Sequence, residues 1–252
     1  MLPYVTVPPI FVGSVAVQPF ALLVSIGVLV AHFLLLTRAH RSGLPRAWAA
    51  EFSLTMVGCG FAGATLFKLL YRPDLVASLG WGVFLHLPGI SSFGGLFGAL
   101  GGAWAYLAAR RIAPPDRVAY LDAAGFSFPF GFVFGRLGCT ITHDHPGLRS
   151  ESGWLTVAYP DGARYDLGLL ELVFLLAVGA AFLWLDRQPR RRGFFIATLL
   201  TVYGLFRVAL DRLHVDPPRY AGISVDQWAG AGIAALGLFF LHRQRSGKAR
   251  PL

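Results

Sequence analysis

Between Gly135 and Gly147 the chain reads Gly-Arg-Leu-Gly-Cys-Thr-Ile-Thr-His-Asp-His-Pro-Gly. Arg136, Cys139, His143, Asp144 and His145 thus bring a cation, a thiol, two imidazoles and a carboxylate into one short stretch. The stretch follows an apolar run, which places Arg136 where a membrane helix ends. A charge at that depth is costly and is read first as functional. A guanidinium there suits a lipid phosphate. His143 or His145 would be the proton acceptor, because imidazole titrates near neutral pH; Asp144 lies between them. Two other readings stay open. Asp-His-Pro-Gly is turn chemistry in its own right, with the aspartate as a helix cap. Cys139, His143 and His145 have a spacing that metal binding allows, but no clear fourth ligand, so no metal or cofactor is assigned.

A second cluster is Tyr203-Gly204-Leu205-Phe206-Arg207, followed by Asp211 and His214. On a helix, Arg207, Asp211 and His214 share one face. They read either as an ion pair at a helix end or as a second cation toward the same headgroup, oriented by Asp211. Asp122 and Glu171 fall inside apolar runs. Each is a functional candidate by default or the interhelical partner of a buried arginine. Gly94-Gly95-Leu96-Phe97-Gly98, with Gly101 and Gly102 behind, suits close helix packing; alternatively the bare backbone of Gly94 and Gly95 admits a headgroup. Lys68 reads as a snorkelling side chain, and Cys59 as a small buried one. Two cysteines give no disulfide framework.

The elements that must position these residues are membrane helices. Of 252 residues, 55% are hydrophobic and only 14% charged, against about 25% charged in a soluble domain; the mean hydropathy is +0.59. Residues 1–37 and 75–109 carry no charged side chain. Unbroken apolar runs of roughly 20 residues span as helices, whereas membrane barrels alternate. The pattern predicts an all-α polytopic membrane protein with seven spans, near 16–37, 52–71, 90–109, 118–135, 167–185, 194–213 and 225–241. Residues 75–88 are too few for a further span and read as re-entrant or interfacial. The first apolar segment lacks a basic n-region and a cleavage site, so it reads as a retained helix. No repeat or linker divides the chain, and residues 1–252 read as one integral membrane domain.

Fourteen of the 22 Lys and Arg residues lie in the loops after spans one, three and five and in the tail. By the positive-inside rule this predicts an outside N-terminus and a cytoplasmic C-terminus. The net charge of +9 then means contact with anionic membrane lipid. It does not point to nucleic acid, because the basic residues are not interleaved with aromatics on a soluble face.

These motifs together resemble the prolipoprotein diacylglyceryl transferase family, seven-span enzymes of the bacterial inner membrane. The family's Gly-Arg-x-Gly-Asn-Phe-x-Asn-x-Glu-x-x-Gly is met at Gly135, Arg136, Gly138 and Gly147. Its Tyr-Gly-x-x-Arg-x-x-x-Glu is met at Tyr203, Gly204 and Arg207, with Asp211 for the glutamate. Its His-Gly-Gly-Leu-x-Gly is met at Gly94, Gly95, Leu96 and Gly98, and Glu171 fits its Tyr-Glu. The resemblance implies transfer of diacylglyceryl from phosphatidylglycerol to the lipobox cysteine in a prolipoprotein signal peptide, on the periplasmic or exterior face. It implies arginines on the phosphate and a histidine activating the thiol. The departures are Phe93 for the family's histidine, Cys139 and Thr142 for its two asparagines, Asp144 for its glutamate, and Phe20 at a tyrosine position. The phosphate-binding residues Arg136 and Arg207 are kept, while the acid–base set is rewritten. His143, Asp144 and His145 are therefore expected to supply the base, with Gly94, Gly95 and Gly138 at the phospholipid and Cys139, Asp211, Glu171 and Tyr203 in support. A related headgroup transferase with another acceptor, and a phospholipid-binding protein without catalysis, are the alternatives.

Overall fold

The computed structural model describes residues 1–71, 78, 91–150, 153 and 155–245. The expected re-entrant stretch 75–88 lies, apart from Ser78, outside the described residues. Among these, seven α-helices have 17 or more residues: α1 (Pro19–Arg41), α2 (Arg46–Leu66), α3 (Ser92–Ala109), α4 (Pro114–Thr142), α5 (Leu167–Leu185), α6 (Phe194–Leu210) and α7 (Val225–Arg245). Five helical stretches are long and apolar enough to cross a membrane: Pro19–Arg41, Arg46–Leu70, Pro114–Thr142, Leu167–Leu185 and Phe194–Leu213. The architecture is that of an all-α membrane protein.

Three glycine-lined contacts draw the helices into pairs. In α1 and α4, a Cβ on Gly27 would overlap the Gly131 carbonyl. In α2 and α3, one on Gly94 would overlap Phe67 and the Gly63 carbonyl, and one on Gly98 the Cys59 carbonyl. In α6 and α7, one on Gly204 would overlap the Gly230 carbonyl. Lipid gives apolar helices no hydrophobic drive to associate, so close backbone approach through small residues does that work. Gly94 is therefore a packing residue. Gly95 is not: its nearest neighbour to an added methyl would be the Ala64 Cβ, at 3.7 Å. Gly94→Ala should cost about 1–3 kcal/mol, as overpacking does. Gly95→Ala should stay within about 0.5 kcal/mol. Thermal unfolding of the two variants in detergent checks this, and equal midpoints would refute it.

One buried acid is a helix cap supplied from a neighbour. Gly193, before α6, has a φ of 85° and no side chain to cap with. Asp122 of α4 supplies the missing acceptor, taking the Phe195 N–H at 2.7 Å and the Ile196 N–H at 3.2 Å. This satisfies two of the four unpaired N–H groups that every helix start leaves. Nearby, Arg38 of α1 pairs with Asp186 at 2.8 Å and lies over the rings of Phe126 and Phe195.

Short strands supplement the helices, a feature the sequence reading did not include. β1 (Ile10–Val12) and β2 (Val15–Val17) form a hairpin before α1. β3 (Pro146–Arg149), β4 (Thr156–Tyr159) and β5 (Gly162–Asp166) form an antiparallel sheet in the order β3-β5-β4. β6 (Arg219–Tyr220) pairs with β7 (Ile223–Ser224) before α7. The sheet connects α4 to α5 and ends at Asp166, whose side chain caps α5 through the Leu169 N–H at 2.9 Å.

The fourth helix corrects an expectation. Its sequence boundaries were 118–135, but α4 begins at the helix-starting prolines Pro114 and Pro115 and runs on to Thr142. It stops only where His143 turns left-handed, at a φ of 52°. Arg136 is thus inside the helix, six residues before its end, rather than at its terminus.

Candidate active site

Arg136 is 2% exposed, and a buried guanidinium must be paired and hydrogen-bonded to be tolerated. Its Nη2 donates to Ser92 Oγ in the first turn of α3 at 2.5 Å and lies 2.9 Å from Glu171 Oε2 in α5. Its Nη1 is 3.8 Å from Cys139 Sγ, one turn along α4. Its Nε has no hydrogen-bond partner among the described residues. The ring of Phe132 lies 4.9 Å from the guanidinium carbon.

Glu171 joins the two arginines. It is fully buried. Its Oε2 accepts from Arg207 Nη1 at 2.6 Å as well as facing Arg136, and its Oε1 accepts from Tyr203 OH at 2.8 Å. Arg207 also donates to Asp226 in the first turn of α7. Its guanidinium carbon is 5.0 Å from the ring of Phe93. The residue that stands for the family's histidine therefore offers an aromatic face to a cation. Among the described residues, two guanidiniums and two carboxylates meet in this network.

The expected residues divide on this geometry. Arg136, Arg207, Glu171, Tyr203 and Cys139 come together. Asp211 sits beside them, accepting from Ser224 Oγ at 2.6 Å and lying 3.5 Å from His214 Nδ1. Gly138 is not open to a ligand, because an added Cβ would lie 2.8 Å from the Phe20 ring. Gly94 packs, as described above, and Gly95 lines the cavity.

The two histidines face different surroundings. His143 Nδ1 donates to Asp166 Oδ2 at 2.6 Å, and Tyr159 OH donates to the same oxygen at 3.0 Å. Tyr4 stacks on the His143 ring with centroids 4.3 Å apart. Burial and the Asp166 carboxylate push the Tyr159 hydroxyl up from its ordinary value. His143 thereby locks the end of α4 to the sheet and to the N-terminal segment, whose Leu2 makes two backbone hydrogen bonds with β4. His145, two residues on, lines the cavity with Arg136, Cys139 and Asp144. Burial, with the Arg136 charge beside it, holds the His145 imidazole below its ordinary value. It is therefore neutral near pH 7 and has a lone pair to offer.

The cavity has a volume of about 750 Å³, within the range of small-molecule sites. Apart from the polar residues at the Arg136 end, Ser127, and His32 and Ser53 at the far end, its wall is apolar, given by α1, α2, α3 and α4. A cation at one end and an apolar trough below match an anionic lipid.

Three contributors are not singled out as site residues by the sequence: Ser92, Asp166 and Asp226. Each sits at a helix start, where serine and aspartate are ordinary capping residues. The sequence signal was therefore that of a cap. The metal spacing considered for Cys139, His143 and His145 also has a counterpart elsewhere. Asp211, His214 and Asp226 are the group among the described residues whose donor atoms fall within 4.8 Å of one another. Arg207 already holds Asp226, so a cation is in place there.

A profile of the prolipoprotein diacylglyceryl transferase family matches residues 9–243. The chain is 28% identical to a phosphatidylglycerol–prolipoprotein diacylglyceryl transferase of Chromohalobacter salexigens, over 92% of this chain and 88% of that protein. It is 29% identical to the protein of that name from Mannheimia succiniciproducens, over 95% and 94% of the two chains. For the one from Dehalococcoides mccartyi the figures are 26%, 94% and 93%. A match that runs through nearly all of the chain, and takes in both arginines, Glu171 and Tyr203, shows that the chain belongs to the prolipoprotein diacylglyceryl transferase family.

Proposed function

We propose that the protein transfers diacylglyceryl from phosphatidylglycerol to the cysteine thiol of a prolipoprotein lipobox, in the bacterial inner membrane. All seven helices cross the membrane in this reading. The N-terminus and the Arg136 end lie outside, and the C-terminus lies in the cytoplasm. The observation that carries the proposal is the apolar cavity headed by Arg136, with His145 on the same wall.

The lipid's acyl chains occupy the trough and its phosphate meets Arg136 through the donors that Glu171 and Ser92 leave over. His145 takes the proton of the incoming thiol, because the thiolate is the nucleophile. The sulfur attacks the glyceryl carbon that bears the phosphate. A carbon–sulfur bond forms, the carbon–oxygen bond breaks, and its electron pair leaves with glycerol phosphate. Arg136, held in place by Glu171, stabilises the charge on the departing phosphate. Arg207, clamped between Glu171 and Asp226, positions Glu171 and so Arg136. His143, Asp166 and Tyr159 fix the turn that presents His145.

The test is turnover of labelled phosphatidylglycerol with a lipobox peptide. The expected products are the diacylglyceryl thioether and glycerol phosphate. Lipid that binds without any thioether forming would sink the proposal.

A further inference from the structure

The cavity has a floor, and the residues that make it suggest a function of their own. Three of its walls run 15 residue steps each, Phe20 to Leu35 on α1, Lys68 to Ser53 on α2 and the 3-10 turn that extends it, and Cys139 to Ala124 on α4, with the shorter stretch Ser92 to Ala99 of α3 beside them. The polar head lies at Phe20, Lys68 and Cys139. The other end is lined by His32, Leu35, Ser53 and Ala124. His32 Nδ1 and Ser53 Oγ meet at 3.0 Å and tie α1 to α2 across it. Below them, Phe52 and Tyr120 are both 0% exposed within a packed cluster that includes Leu35. A hydrogen-bonded polar pair at the bottom of an apolar trough is an unfavourable neighbour for a methylene, because entry between the two would cost their hydrogen bond.

We infer that the His32–Ser53 pair and the packed cluster beneath it set the length of acyl chain that the enzyme accepts, which rests on the reading of the cavity as a phosphatidylglycerol site. Fifteen helical rises from Phe20 to Leu35 span about 22 Å. With C–C bonds of 1.52 Å in a zigzag, an extended chain advances about 1.3 Å per bond, so about 17 bonds fit. The glyceryl and ester linkage takes up about three of them, which leaves room for an acyl chain of about 14 carbons. Each further methylene has to bend within the trough or leave it, and it gives up its close contacts with the wall.

The experiment compares phosphatidylglycerols with two identical chains of 12, 14, 16, 18 or 20 carbons, in one detergent at one mole fraction, with the lipobox peptide as acceptor. The wild type should lose at least threefold in transfer rate between 14 and 20 carbons. His32→Ala, which opens the floor, should flatten that decline. Ser53→Leu, which fills it, should move the decline to shorter chains. The same lipids competing against labelled phosphatidylglycerol for binding provide a second readout that needs no turnover. The lipid retained by the purified wild type provides a third, and it should be enriched in shorter chains relative to the host membrane. A flat profile in the wild type, or a profile unmoved in both variants, overturns the inference. If no lipid is turned over, the proposed transfer fails, and binding decides the floor separately: length-dependent competition supports it and length-independent competition overturns it.

Discussion

Arg136→Ala is expected to lower diacylglyceryl transfer by about 10³-fold or more, since loss of one preorganised donor to a developing anion costs about 10²–10³ and this residue also orders its neighbours. Two effects combine. The phosphate loses the guanidinium at the head of the cavity. Glu171, fully buried, loses one of its two cations, and breaking a buried pair costs about 3–5 kcal/mol. The second effect could lower activity simply by unfolding the protein, so the double variant Arg136→Ala/Glu171→Gln separates them. Removing the carboxylate charge should recover much of the thermal stability and none of the transfer. Arg136→Lys should fall between the wild type and Arg136→Ala. A lysine keeps the charge but not the planar fork that reaches Ser92, Glu171 and a ligand at once. Initial rates on labelled phosphatidylglycerol, set beside unfolding midpoints, give both quantities. If the double variant regains activity together with stability, Arg136 is a structural residue and not a phosphate ligand.

What could be read in the sequence was the part in which charge is rare. Arg136, Glu171 and Arg207 stand out because they interrupt apolar segments, and the structure brings all three to within one carboxylate of each other. Helix positions were legible from the apolar runs for the same reason. What could not be read depends on direction and on ends. Helix α4 continues to Thr142 because nothing between Gly135 and Thr142 forces it to stop; the stop is the positive φ of His143, a property that the residue type alone does not announce. Asp226 and Ser92 look like ordinary helix-start residues, and only the fold aims them at arginines more than 15 residues away. Asp122 shows the converse. An acid within a span reads as a functional candidate, yet its carboxylate is used to cap a neighbouring helix. The Gly94-Gly95 pair also divides, the first glycine packing against α2 and the second facing the cavity, since neighbours on a helix point about 100° apart.

His143 and His145 are the sharpest case, and the chemistry assigned to them makes opposite predictions. Both are imidazoles two residues apart, and the left-handed turn at His143 sends them to different environments. His145→Ala should lower transfer by about 10²–10⁴-fold, the usual contribution of a general base, with little loss of stability because its side chain is only partly buried. His143→Ala should do the reverse. It strips Asp166 of its 2.6 Å partner, which costs about 1–3 kcal/mol, while transfer per folded molecule stays within a few-fold. The pH profile sharpens the comparison. A base must be deprotonated to act, and burial beside Arg136 holds His145 below its ordinary value. The wild-type rate should therefore be flat through neutral pH and fall only as the pH drops beneath the usual imidazole range. In His145→Ala that acid limb should disappear, leaving a low rate that rises only as the acceptor thiol itself ionises at higher pH. His143→Ala should keep the acid limb at full height. If the limb instead vanishes in His143→Ala and persists in His145→Ala, the proton passes through the Asp166 pair, and the roles of the two histidines are exchanged.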